Sequence, residues 1–149
     1  MYKQIICPVD GSPTSNCGVQ EAIKLAKDHD AKLRFLHVID AYLPIYDAMG
    51  DFNLIYIDEI LRKNGNKLLK KAEAAAKKAG VDADTKILEA IGDRVSKFVV
   101  KETEVWPADL IVMGTHGLRG IKRLVMGSDA ETVVRTSPVP VLLVRNTKK

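Results

Sequence analysis

The chain alternates between two periods from one end to the other, and this alternation constrains its fold more than any single residue does. Gln4 to Val9 (QIICPV) is short, β-branched and continuously apolar, as expected of a strand buried on both faces. After Asp10-Gly11-Ser12-Pro13, the apolar positions Val19, Ala22, Ile23 and Ala26 recur at helical spacing, and Ser12, Thr14 and Ser15 are all eligible to cap the start. Lys32 to Ile39 reads as a second strand. An irregular stretch from Ala41 to about Asp51, with Pro44 and Gly50, runs into a long helix that KKAEAAAKKAG closes at Gly80, a glycine C-cap signal. Asp84 to Ala90 is a third, weaker strand, and Val95, Phe98, Val99 and Glu102 mark a third helix. Ala108 to Gly114 is a fourth strand. A last helix begins near Ser128 and ends before Ser137-Pro138, and Val139 to Arg145 makes a fifth strand.

Five strands separated by helices predict one α/β domain over residues 1–149: an open parallel sheet, helices on both faces, strand order 3-2-1-4-5. No interior linker, repeat or low-complexity segment divides it, and Asn146 to Lys149 is a polar tail. A length of 149 residues, 46% hydrophobic and 28% charged, suits a chain that buries a real core. The net charge of +4 is modest. It agrees with a small anionic ligand and argues against nucleic acid, whose binders usually concentrate charge on one stripe. Cys7 and Cys17 have no Cys-x-x-Cys spacing, so both are expected to be buried structural thiols. No signal-peptide pattern opens the chain and no apolar stretch approaches the ~18 residues that span a bilayer, so the expected setting is cytoplasmic, without a membrane partner.

In open α/β sheets, ligands sit beyond the carboxyl ends of the strands, where neighbouring crossovers leave in opposite directions. That rule singles out Asp10-Gly11-Ser12, Val38 to Asp40, and the segment from Gly114 to Ser128, GTHGLRGIKRLVMGS. Gly114 and Gly117 are read as letting the backbone turn and approach a ligand with no Cβ in the way. Gly127 and Ser128 sit where a helix begins, so free N–H groups and the positive end of the dipole face the loop. No Gly-x-x-x-x-Gly-Lys-[Ser/Thr] occurs, and no Gly-x-Gly-x-x-Gly follows the first strand, which excludes two commoner phosphate loops.

Plainer readings compete at each position. Asp10 also suits a turn, and Arg119, Lys122 and Arg123 suit a solvated face. His116 has no partnered carboxylate or serine to make it a general base. His37 reads as a packed core histidine, Trp106 as a hydrophobic anchor at a helix end.

Gly114-x-x-Gly117, nine residues, then Gly127-Ser128 is the pattern G-2x-G-9x-G-[S/T] of the ATP-binding branch of the universal stress protein family. IICPVDGS resembles that family's first strand and turn, LHVID its second strand, and SPVPVLLVR its closing segment. The likeness covers nearly the whole chain and is weakest from Ala41 to about Ile60. It implies ATP across the switch point, with Asp10 and the backbone near Pro8 and Val9 at the nucleoside and Val38 at the adenine. Met113 and Gly114 would pass the ribose. Gly117 and the N–H groups of Gly127, Ser128 and Asp129 would take the phosphates, with a divalent metal (Mg2+ or Mn2+) bridging their oxygens. Asp129 departs from relatives, which usually carry an uncharged residue there; its carboxylate would either repel the terminal phosphate or help hold the metal.

The resemblance also implies a homodimer, the Val139 to Arg145 strand pairing with its counterpart across a two-fold axis. The expected function is a nucleotide-binding regulatory module of the cellular stress response. Hydrolysis should be slow or absent, since nothing in the sequence supplies a positioned base or a mobile arginine finger. Two rivals remain open: a slow ATPase or nucleotidyl transferase with a second substrate pocket near His116 and Asp129, and a nucleotide-independent interaction protein that recruits a partner through its dimer surface and Ala41 to Ile60. The segment around Tyr42, Pro44, Tyr46 and Met49 is expected to act as a lid over the nucleotide.

Overall fold

The computed structural model describes residues 1–40, 51–116 and 126–147, with side chains from residue 56 onward in the helix that begins at Asp51. The elements run β1 (Gln4–Pro8), α1 (Pro13–His29), β2 (Lys32–Asp40), α2 (Asp51–Lys78), β3 (Ala83–Ala90), α3 (Val95–Val105), β4 (Leu110–Gly114), α4 (Ser128–Thr136) and β5 (Val141–Val144). The strands are parallel and lie in the order β3-β2-β1-β4-β5. The predicted architecture and strand order are therefore those observed.

Two-residue periodicity in the central strands sorts the core into two halves. Ile5 and Cys7 of β1, Leu33 and Phe35 of β2, and Leu110 and Val112 of β4 pack on one face, with α1 and α2. Ile6, Leu36, Ile111 and Met113 point the other way, onto α3 and α4 through Val99, Ala130 and Val133. The Cys7 thiol is fully buried and burial pushes its pKa up, so it is an inert core group. Cys17 is only half-buried, because it lies at the edge of the buried stripe of α1.

Local chemistry sets the element ends. Among the three candidate caps of α1, Ser12 is the one used: its Oγ accepts the Ser15 N–H at 3.1 Å, with Pro13 at the first helical position. Gly80 closes α2 at φ +77°, its N–H donating to the Lys77 carbonyl at 3.0 Å while Val81 N–H reaches Ala76. Trp106 caps α3 and lies under the Arg34 guanidinium, 4.7 Å from the ring centroid.

Candidate functional site

The crossover from β1 leads through α1 to β2 on one side, whereas that from β4 leads through α4 to β5 on the other. Adjacent strands β1 and β4 therefore form the switch point of the sheet. At the end of β1, Val9 N–H still donates to the Leu36 carbonyl at 2.8 Å, continuing the ladder one residue past the strand. Gly11, at φ +82°, reverses the chain. Asp10 Oδ1 accepts the Ser12 N–H at 2.8 Å, and Asp10 N–H donates to Ser15 Oγ at 3.1 Å. Asp10 is thus a turn residue as well as a residue of the cavity wall.

At the end of β4, Thr115 N–H donates to the Val144 carbonyl at 3.0 Å, and its own carbonyl accepts the Gly127 N–H at 2.8 Å. Gly127 is thereby docked beside the strand end as the N-cap of α4, with no side chain capping that helix. The first-turn N–H groups of Ser128, Asp129 and Ala130 have no acceptor within the helix, and the positive end of its dipole is directed outward. Asp129 and Glu131 in the same turn oppose that field with two carboxylates.

Between these ends lies a cavity of about 410 Å³, within the ~300–1,000 Å³ usual for small-molecule sites. Nine of the ten residues singled out by the sequence line it: Pro8, Val9, Asp10, Val38, Met113, Gly114, Gly127, Ser128 and Asp129. The tenth, Gly117, lies outside the described residues, as do Arg119, Gly120, Lys122 and Arg123, and the expected lid residues Tyr42, Pro44, Tyr46 and Met49.

Gly114 requires a corrected explanation. It is the last, buried residue of β4, paired with Val144, and does not turn the chain. A Cβ there would meet the backbone of Thr14 and Ser15 at 2.7–2.9 Å, so the absent side chain lets the first turn of α1 close on the strand. His37 is also misread as a core residue. It is half-buried at the cavity, its Nδ1 2.7 Å from the Val9 carbonyl, and its ring lies against Gly65 of α2, where a Cβ would approach within 2.5 Å.

Sequence reasoning missed the wall contributed by α3: Val95, Ser96 and Val99. The available signal was Ser96, a polar residue three positions before Val99 on the core-facing stripe. His116 lines the cavity too; its Nδ1 lies 2.8 Å from Thr115 Oγ1, and its Nε2 is buried with no partner among the described residues. A second depression of about 500 Å³ adjoins at Asp129, lined also by Asp40, Asp93 and Arg94. Lys97 and the Arg94 N–H hold the Asp93 carboxylate below its ordinary pKa. Among the described residues, no three His, Cys, Asp or Glu side chains gather as a metal site, and no helix is long and apolar enough to cross a membrane.

The chain is a doubly wound α/β domain with a ligand-sized cavity at its switch point, walled by an uncapped helix N-terminus. This chain belongs to the universal stress protein family: the profile of that description matches residues 1–145. Over 149 residues it is 36% identical to a universal stress protein of Methanocaldococcus jannaschii, covering 100% of this chain and 85% of that protein. A solved family member from Burkholderia pseudomallei superimposes with a TM-score of 0.78, at 26% identity and 96% of both chains. A universal stress protein solved in complex with cAMP gives a TM-score of 0.69, at 26% identity and 98% of both chains.

Proposed function

We propose that this protein is an ATP-binding regulatory module of the cytoplasm, working as a homodimer in the stress response. The observation that carries the reading is the cavity wall: residues as far apart in sequence as Pro8 and Val133 surround one volume of about 410 Å³ at the switch point. Its chemistry is graded in the direction a nucleotide needs. Val38, Val95, Val99 and Met113 offer an apolar surface for a base. Asp10 in the cavity wall offers a carboxylate as acceptor for a ribose hydroxyl, and the first turn of α4 offers N–H groups to phosphate. The relative bound to cAMP supports an adenine nucleotide.

The buried Ser96 Oγ and His116 Nε2, both without protein partners among the described residues, fit a polar ligand. A divalent ion, Mg2+ or Mn2+, would rest chiefly on phosphate oxygens, with Asp129 the nearest carboxylate on α4, and would neutralise phosphate charge. Asp129 then aids binding with the ion present and opposes it without.

Calorimetric titration with ATP and magnesium tests this. Wild type should bind, and Gly127→Val should lose at least tenfold in affinity while keeping its far-ultraviolet circular dichroism, because valine places bulk beside the α4 N–H groups. Equal affinity in both proteins would move the phosphates elsewhere, and no heat in wild type would refute the reading. A second reading, slow phosphoryl or nucleotidyl transfer, is favoured by the depression that adjoins the cavity at Asp129. Phosphate release above the rate of a His116→Ala variant would support it.

A further inference from the structure

Resting on the nucleotide-binding reading, we infer that Ser96 is the residue that recognises the base: its hydroxyl hydrogen-bonds the in-plane edge of an adenine-type heterocycle seated between α3, α4 and the sheet. The lower part of the cavity is an extension of the apolar core. Leu36, Val38, Val95, Val99, Met113 and Val133 belong both to the cavity wall and to the core cluster beneath α3 and α4. Ser96 stands among them as a polar side chain, 0% exposed, and its Oγ has no hydrogen-bond partner among the described residues.

Helix geometry explains that orphan. Buried Ser and Thr hydroxyls in helices usually donate back to a carbonyl three or four residues earlier. Three other helical hydroxyls here do so, Thr103 to Val100, Thr132 to Ser128 and Thr136 to Thr132, whereas Ser15, near the start of α1, takes the Asp10 N–H instead. Ser96 is the second residue of α3, so four residues back lies Gly92, outside the helix at φ +73°. No helical carbonyl is aligned beneath it. A buried hydroxyl left in this state carries an uncompensated desolvation cost that alanine would avoid.

A ligand supplies the missing partner. Apolar pockets orient their ligands through a small number of placed polar groups. A purine matches this one: flat and largely apolar on its faces, with ring nitrogens that accept in plane. The Ser96 O–H donates to one of them. The hydroxyl sits in the wall rather than in the open volume, so the wall around it shifts slightly as the ring enters.

The test is calorimetry on wild type and Ser96→Ala, with ATP, with inorganic tripolyphosphate as a probe lacking the base, and with ATP analogues in which one ring nitrogen is replaced by C–H. Ser96→Ala should weaken ATP about five- to tenfold and leave tripolyphosphate unchanged. One analogue should show the same loss on wild type and no additional loss on Ser96→Ala, the coupling expected of a direct contact. The ligand-free variant should melt at the wild-type temperature or up to about 4 °C above it, since alanine removes an unpartnered polar group. ATP affinity within twofold of wild type, or an equal loss for tripolyphosphate, would overturn the role of Ser96 while leaving nucleotide binding intact. Absence of ATP binding to wild type would overturn both.

Discussion

Gly114 and Gly18 are two residues whose importance lies in what they lack. A Cβ on Gly114 would lie 2.7 Å from Thr14 C, 2.8 Å from Thr14 O and 2.9 Å from Ser15 N. A Cβ on Gly18 would lie 3.2 Å from Gly114 N. These are backbone atoms, which cannot rotate away as a side chain would. Gly114→Ala should therefore push the first turn of α1 off β4 and destabilise the protein by about 1–3 kcal/mol, measured by urea unfolding. A loss under about 0.5 kcal/mol would show the approach to be looser than described. The glycine was legible in the sequence as a site of close approach, but what approaches is α1: sequence spacing cannot reveal that Thr14, 100 positions away (114 − 14), stands over it.

At the scale of elements, α3 is held to the sheet by a charge cluster rather than by apolar contact alone. The Glu102 side chain is 3% exposed; it accepts from Arg34 at 2.9 Å and from Lys86 at 3.0 Å. Arg34 also grips both oxygens of Asp84, at 2.7 and 2.6 Å. The Asp84 hydrogen bond raises the pKa of Arg34 above its ordinary value, with burial opposing and Glu102 adding, so the guanidinium stays charged throughout the working pH range. Glu102→Ala would leave two cations facing a small apolar gap. The expected loss is about 2–4 kcal/mol in denaturant unfolding, below the upper range for a broken buried pair because Asp84 remains. A loss near zero would mean that desolvation of Glu102 already cancels its attraction. The helical period of α3 was readable from Val95, Val99 and Glu102, yet Glu102 reads as an ordinary helix glutamate. Only the pairing of β2 with β3, which sets Arg34 opposite Asp84, assembles its partners.

For the molecule as a whole, the proposed dimer rests on the edge of the sheet at β5. Val141–Val144 pairs with β4 on one side, and Leu142 in this strand is 37% exposed. An edge strand carrying apolar side chains is a ready template for a second copy. Sedimentation equilibrium should give a dimer, and Leu142→Asp should shift it to monomer while ATP affinity changes less than threefold. A wild-type monomer at all concentrations would sink the proposed assembly.

The periods of the sequence determined the elements, and the elements determined the sheet. Short β-branched runs such as QIICPV can be buried only between two helical layers, and right-handed crossovers then leave few strand orders. The carboxyl-end rule converted that sheet into a site, and for this reason Asp10, Val38 and Gly127 could be named together. What tertiary structure alone decided was which side chains close the cavity and which polar atoms in its wall lack partners. His37 acquires its setting from packing against Gly65 of a distant helix, and Ser96 and His116 acquire theirs from the cavity that brings α3 and the end of β4 together. Periodicity records which face of an element is buried. It carries no record of what is buried against it, because that depends on distances closed only when the layers come together.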